Sequence, residues 1–201
     1  MPRQNRVTPF GTLIADPARG MFMGNRGCLH DAEGRLTGRL STTRAWICCL
    51  TAFKDRRRPL LRPGRYTELF FLDEATALAA GHRPCAECRR ADYNRFHAAW
   101  RAAGLPGTRA PEIDATLDAD RRDGRVQRHH EARAKSLPDG AMFLWDGEPA
   151  LIHGGSLRPW FPGGYGPPRD RPEAAVTVLT PASVVRVLAA GYGPTLHPSL
   201  G

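Results

Sequence analysis

Cys85-Ala86-Glu87-Cys88 sets two thiols three positions apart, behind the turn Gly81-His82-Arg83-Pro84 and ahead of a helical pattern. That spacing is a zinc knuckle, in which two thiolates on one tight turn point at one tetrahedral ion. The second thiolate then sits at a helix N-terminus, where the macrodipole favours negative charge. Redox enzymes of the thioredoxin type use the same spacing, but no βαβ pattern surrounds it here, so zinc is the expected partner. Three further cysteines, Cys28, Cys48 and Cys49, bring the total to five. An odd number argues against paired structural disulfides, because the N-terminal Met1-Pro2-Arg3-Gln4-Asn5-Arg6 leads into no apolar run of signal-peptide length.

A second group able to do chemistry is Asp114, Asp118 and Asp120, followed by His129-His130-Glu131. Carboxylates and imidazoles gathered in a cleft bind Mg²⁺ or a second Zn²⁺ and activate water against a phosphodiester, as a nuclease requires. Asp114 and Asp118 lie one helical turn apart, but His129-His130-Glu131 matches no ligand motif such as H-E-x-x-H. The competing expectation is a solvated helix whose acids pair with Arg121, Arg122 and Arg125 at helical spacings. Trp145, Trp160, Phe161 and Tyr165 lie in or near the Gly/Pro segment Arg158 to Gly166. They are suited either to stacking on exposed bases or to capping a small β core, and the second is expected. Ser156 and Ser199 lack a G-x-S-x-G setting, so no serine hydrolase is indicated.

The elements that must position these groups are short. Residues 7–27 alternate apolar stretches around Asp16-Pro17-Ala18-Arg19-Gly20 and predict a hairpin. Extended segments follow at Ala45 to Phe53 and Tyr66 to Leu72. Asp73 predicts a cap for a helix from Glu74 to Ala80, closed by Gly81, and Tyr93, Phe96 and Trp100 give a longer helix ending at Gly104. After a polar stretch to about Asp139, a second hairpin is predicted around Asp146-Gly147-Glu148-Pro149. A strand at Val176 to Leu179 and a helix from Pro181 to Ala190 complete the chain, with Thr180 as the expected cap. The fold class is α+β, with small antiparallel sheets, a zinc knuckle and short helices. Residues 1–108 form a zinc-binding module with an N-terminal hairpin and residues 109–201 a smaller α+β region, the two able to pack as one unit.

Phe70-Phe71-Leu72-Asp73-Glu74-Ala75-Thr76-Ala77-Leu78-Ala79-Ala80-Gly81-His82-Arg83-Pro84-Cys85-Ala86-Glu87-Cys88 resembles the end of the metal-binding domain of the bacterial Ada protein. A short helix, an Ala-Gly-aromatic-Arg-Pro turn and C-x-x-C recur there. Thr42-Thr43-Arg44-Ala45-Trp46-Ile47-Cys48-Cys49 is similar to the segment that supplies the other ligands, and the resemblance covers roughly residues 40 to 92. It implies an Ada-like zinc module, DNA as partner, and a setting in DNA repair or genome maintenance. The first ligand pair departs from the pattern: Ada-like domains use Cys-x-x-x-Cys, whereas Cys48 and Cys49 are adjacent here. Neighbouring strand residues point to opposite faces, so one of the two faces the metal. Cys28, on the glycine-rich turn Gly24-Asn25-Arg26-Gly27-Cys28-Leu29-His30, is the expected fourth ligand, with His30 as its substitute. Cys49, Cys28, Cys85 and Cys88 would close a structural site, with Cys48 the alternate for Cys49. In the Ada family one zinc thiolate accepts a methyl group from a damaged phosphate, and the altered ligand arrangement does not carry that chemistry over.

The formal charge is +9, and all of the 29 basic residues except Lys54 and Lys135 are arginine. Either a GC-rich genome or a phosphate-binding surface would favour arginine over lysine, but an excess of positive charge most commonly serves a polyanionic partner. Lys54 to Arg65 holds six basic residues and one acid, the densest positive run. The expected nucleic-acid contacts are Arg56, Arg57, Arg58, Arg62 and Arg65, with Arg83, Arg89 and Arg90 flanking the knuckle. DNA is the expected ligand, and RNA shares the same electrostatics. Two rival readings are a Mg²⁺-dependent nuclease or DNA-processing hydrolase built on residues 114–131, and a zinc-stabilised adaptor for acidic protein partners. Without a stretch of roughly 18 apolar residues the chain is expected to be cytoplasmic.

Overall fold

The structure, a computed structural model, describes residues 1–54 and 59–201. Arg56, Arg57 and Arg58, the centre of the predicted phosphate-contacting run, lie outside the described residues. The N-terminal region builds a six-stranded sheet from β1 (Gln4–Val7), β2 (Leu13–Ala15), β3 (Phe22–Asn25), β4 (Ile47–Leu50), β5 (Leu69–Phe71) and β6 (Arg83–Pro84). Their spatial order is β2-β1-β5-β3-β4-β6. The β1–β5 and β4–β6 pairs are parallel and the others antiparallel. One face is apolar: Val7, Phe22, Leu69 and Phe71 pack with Ala77 and Ala80.

Residues 7–27 do not form the predicted hairpin. β2 pairs with β1, while β3 pairs with β4 and β5. The intervening Asp16 accepts a hydrogen bond from the Ala18 amide, and Gly20 lies against the Phe71 backbone so closely that a Cβ there would sit 2.3 Å from a carbonyl oxygen. The segment therefore crosses the sheet instead of turning tightly.

α1 (Glu74–Ala79) begins where the sequence places it, because Asp73 Oδ1 accepts from both the amide and the hydroxyl of Thr76. Gly81, at φ +83°, stops it in the left-handed region that suits glycine. Alanine on every side lets this helix lie wholly buried: Ala75 and Ala79 face one apolar cluster, Ala77 and Ala80 a second, Leu78 a third. Beyond β6 come α2 (Arg90–Ala102), α3 (Ala110–Arg121) and the two-residue strands β7 (Arg122–Asp123) and β8 (Val126–Gln127). The second sheet contains β9 (His130–Arg133), β10 (Met142–Trp145), β11 (Glu148–His153), β12 (Ser156–Phe161), β13 (Gly164–Tyr165) and β14 (Ala175–Val178). It is antiparallel throughout, in the order β13-β12-β11-β10-β14-β9. The predicted hairpin is β10–β11, with Asp146 and Gly147 both at positive φ (50° and 80°) as a two-residue turn requires. α4 (Ala182–Ala189) is the last α-helix, followed by a 3-10 turn at Pro198–Leu200; Thr180 does not cap α4 but accepts a hydrogen bond from the Met142 amide.

The protein is thus α+β with small, mainly antiparallel sheets. The sheets divide between residues 1–108 and 109–201, but the core does not. Leu78, Phe96 and Trp100 pack with Ile113, Leu117, Phe143 and Val184 in one cluster. Buried polar groups cross the same boundary: Asp73 accepts from the Tyr165 hydroxyl (2.8 Å), and Glu74 from the Tyr192 hydroxyl (2.6 Å) and the Thr195 amide (2.8 Å). Among the described residues no helix is long and apolar enough to cross a membrane.

Candidate metal centre

Strand register decides which cysteines meet. β3 and β4 pair with Met23 opposite Cys49 and Gly24 opposite Cys48, so the two neighbouring thiols leave β4 on opposite faces. Cys48 enters the apolar cluster beneath the sheet, where Arg89 Nη1 donates to its sulfur at 3.4 Å. Cys49 points to the other face. Parallel pairing of β6 with β4, reinforced by the Cys85 amide donating to the Cys48 carbonyl at 2.9 Å, lays the knuckle alongside it. The Glu87 amide donates to Cys85 Sγ and the Leu50 amide to Cys88 Sγ, both at 3.4 Å. The sulfurs of Cys49, Cys85 and Cys88 consequently lie within 4.8 Å of one another. Thiolates on a tetrahedral zinc stand about 3.8 Å apart, given a Zn–S bond of about 2.3 Å, so small side-chain adjustments suffice. The cluster can hold a metal ion. Among the described residues no other group of three or more His, Cys, Asp or Glu side chains brings its ligand atoms so close.

The three thiols do not ionise alike. A hydrogen bond from the Cys49 thiol, with the amides of Cys88 and Glu87, lowers the Cys85 pKa to about 5 despite burial. Cys49 is pushed well up because it donates that hydrogen bond and is buried, and burial also raises Cys88. At neutral pH the metal-free cluster therefore carries one thiolate and two thiols. Metal binding must displace the remaining protons. Zinc uptake by the metal-free protein at pH 7 is expected to release about two protons per ion, with log affinity rising by about two per pH unit. Below about pH 5 Cys85 is also protonated and the slope steepens to about three. Calorimetry in two buffers of different ionisation enthalpy reads the number directly.

A cavity of about 320 Å³ opens beside the cluster, lined by the three cysteines together with Met23, Tyr66 and Phe70. Cys28 is not part of the group. Asn25 pairs with Ile47, so the chain beyond β3 runs away from Cys49, and Cys28 ends with its thiol donating to the His30 carbonyl at 3.5 Å. His30 is equally committed, with Nδ1 bonded to Thr67 Oγ1 (2.6 Å) and Nε2 to the Arg62 carbonyl (3.2 Å). The closed four-cysteine site expected from sequence is therefore corrected to three thiols among the described residues.

Several predicted phosphate contacts are internal. Arg83 makes a two-pronged pair with Asp114, both bonds 2.7 Å, and both side chains are buried. Arg89 is buried against Glu74 (2.8 Å) and Asp92 (2.7 Å). Burial works against its charge, but these carboxylates and Cys48 more than offset that and raise its pKa. Arg65 and Arg90 are exposed and Arg62 half-buried.

The residues considered for a nuclease site are likewise dispersed. Asp114 is neutralised by Arg83, and Asp118 by Arg121 (2.7 Å) at the end of α3 and Arg122 (2.8 Å) just beyond it. Asp120 accepts from the Ser183 amide. His129 is exposed and bonded to Gln127, burial lowers the pKa of His130, and Glu131 accepts from Thr177 Oγ1 across the sheet. They do not share a ligand cluster. Trp160 and Tyr165 cap the second sheet, donating to Thr76 Oγ1 and Asp73 Oδ2. The sequence reading missed Glu74, whose position directly after a helix cap looks like ordinary N-terminal acid enrichment. It also missed Arg26, a lone arginine in a glycine-rich turn.

The chain matches no protein-family model, no curated protein and no solved structure.

Proposed function

We propose that this is a zinc protein that binds nucleic acid, with Cys49, Cys85 and Cys88 as the protein ligands of one Zn²⁺ ion. The observation that carries the reading is the convergence of a strand cysteine and a C-x-x-C knuckle to within 4.8 Å. Three soft sulfur donors, two of them buried and Cys88 half-buried, favour zinc over the harder Mg²⁺ or Ca²⁺. The cavity beside the cluster leaves room for a fourth ligand from solvent or from a bound molecule. The amide–sulfur bonds temper the negative charge of the thiolates, as a structural site requires.

The nucleic-acid part rests on the +9 formal charge and on the exposed Arg65 and Arg90 and the half-buried Arg62. The Ada-like run from Phe70 to Cys88 supports DNA as the ligand and repair or genome maintenance as the setting. Such a protein would work in the cytoplasm, where thiols stay reduced.

Fluorescence anisotropy with labelled duplex DNA, single-stranded DNA and RNA tests the reading. Binding to duplex should weaken by about tenfold or more between 50 and 200 mM salt, and the triple variant Arg62→Ala/Arg65→Ala/Arg90→Ala should flatten that dependence by up to about three in slope. Absence of binding at low salt would remove the nucleic-acid assignment while leaving the zinc assignment to stand on metal content. Stronger binding to RNA than to either DNA would replace DNA as the ligand.

A further inference from the structure

A second cavity, of about 500 Å³, shares no lining residue with the one beside the cysteines. That volume falls within the range of small-molecule sites. At its inner end lies Arg26, 1% exposed, the first residue after β3. Its Nε donates to His82 Nε2 at 3.2 Å and its Nη1 to the Gly11 carbonyl at 2.8 Å. Nη2 has no hydrogen-bond partner among the described residues. Nη2 lies 3.7 Å from where a Cβ on Gly11 would stand, and Gly11 is part of the cavity wall.

A buried guanidinium normally has a carboxylate beside it, because an uncompensated buried charge is strongly unfavourable. Arg83 and Arg89 in this same protein obey that rule. Arg26 does not. The charged group nearest in effect is another cation, Arg121, and the two guanidinium groups each lie 4.0 Å from the centre of the Trp46 ring. Arg121 has Asp118 as its own counter-ion. Burial and the charge of Arg121 together lower the Arg26 pKa to about 9, so it remains a cation at neutral pH. At the cavity mouth Arg39 and Arg125 are exposed and, among the described residues, meet no carboxylate; Arg125 bonds only the Gly38 carbonyl. Most of the remaining wall is apolar, formed by Phe10, Leu36, Leu40 and the 70% exposed Val126, with Gln4, Thr12 and Gln127 as its polar groups and Arg122 held by Asp118.

We propose that this cavity is a binding site for a small organic anion, a carboxylate or phosphate head on an apolar body, whose head supplies the counter-charge that Arg26 lacks. The body lies along Phe10, Leu36 and Val126, and Arg39 and Arg125 draw the anion to the mouth. Guanidinium accepts either head group in a two-pronged geometry, so the two chemistries are alternatives for one site. Nothing in this assignment depends on the metal or on nucleic acid.

Isothermal titration of the full-length protein with octanoate, octyl phosphate and octanol tests it. At least one of the two anions should bind about tenfold or more tightly than octanol, since a charge-assisted hydrogen bond distinguishes them. Preference between octanoate and octyl phosphate identifies the head group. Arg26→Met, which keeps the side-chain volume, should weaken anion binding by about tenfold or more. Should that variant fail to fold, Arg39→Ala/Arg125→Ala at the exposed mouth provides the second reading: about threefold weaker binding with a reduced salt dependence. Equal binding of octanol and both anions, or anion affinity within about twofold of wild type in the folded variants, would overturn the proposal.

Discussion

Cys85→Ser is expected to yield a protein without bound zinc, melting some 8–16 °C below wild type. The loss follows from geometry: Cys85 is the thiol that both other cysteines approach and the one ionised first, at a pKa of about 5. Removing it leaves two ligands of opposite origin, one on β4 and one on the knuckle, with nothing to hold a tetrahedral ion. Zinc present a thousandfold above its dissociation constant stabilises the native state by about 4 kcal/mol, and in a chain of this size each kcal/mol is worth about 2–4 °C. The large apolar core means that the metal-free chain should still fold, unlike a zinc finger. Elemental analysis of the purified variants together with calorimetric melting provides the check. Cys28→Ser should keep its zinc, because its thiol is bonded to the His30 carbonyl away from the cluster. Cys48→Ser should also keep zinc while losing some stability, because it places a hydroxyl in the apolar cluster with Phe22 and Phe71. Loss of zinc in Cys28→Ser would put that residue back among the ligands. A zinc-free wild type would remove the metal assignment.

Asp114→Ala is expected to lower the free energy of unfolding by about 3–5 kcal/mol, the usual consequence of stranding one member of a buried ion pair. Arg83 and Asp114 exchange two hydrogen bonds of 2.7 Å, and their side chains are 5% and 7% exposed. With the carboxylate gone, the guanidinium remains in the interior between β6 and α3. Arg83→Met combined with Asp114→Leu should recover most of the loss, because an apolar pair of similar volume carries no desolvation penalty. Urea unfolding of the two single variants and the double variant gives the coupling energy. The same series separates a structural Asp114 from a cation ligand of a nuclease: stability should fall with no change in Mg²⁺ binding. A Mg²⁺ affinity that disappears in Asp114→Ala while stability is retained would reverse that conclusion. Since Arg83 immediately precedes the knuckle, a weakened zinc affinity in Asp114→Ala is a further expected consequence.

Much of this architecture could be read from short stretches of chain. The Asp73 cap and Gly81 stop of α1, the Asp146-Gly147 turn and the pairing of Cys85 with Cys88 rest on dihedral preferences or covalent spacing within a few residues. Such signals survive whatever the rest of the fold does. The α+β class followed from the same local patterns. The β2–β3 hairpin was misread because Pro17 and Gly20 mark a turn equally well when the flanking strands pair with each other or with different partners. Only the competition for edges in the sheet distinguishes the two cases, and there β5 inserts between β1 and β3.

The site shows the same division. By itself the sequence determined that two thiols share one turn; the Ada-like resemblance implied a further ligand from Cys48 or Cys49, and strand alternation allows only one of the two to face that side. It could not choose, since both are buried and a two-sided strand carries no polar face to set its register. Tertiary structure chose Cys49 through the pairing of β4 with β3 and β6, and it excluded Cys28 by directing the chain away beyond Asn25. It also decided which arginines remain available. Arg83 and Arg89 look like surface cations in a basic protein, yet each is drawn inside by a carboxylate distant in sequence, Asp114 for the one and Glu74 for the other. Among the described residues Arg26 is buried without such a partner. Charge and spacing belong to the chain, whereas burial and the counter-ion each charge meets arise from long-range packing, which no local pattern encodes.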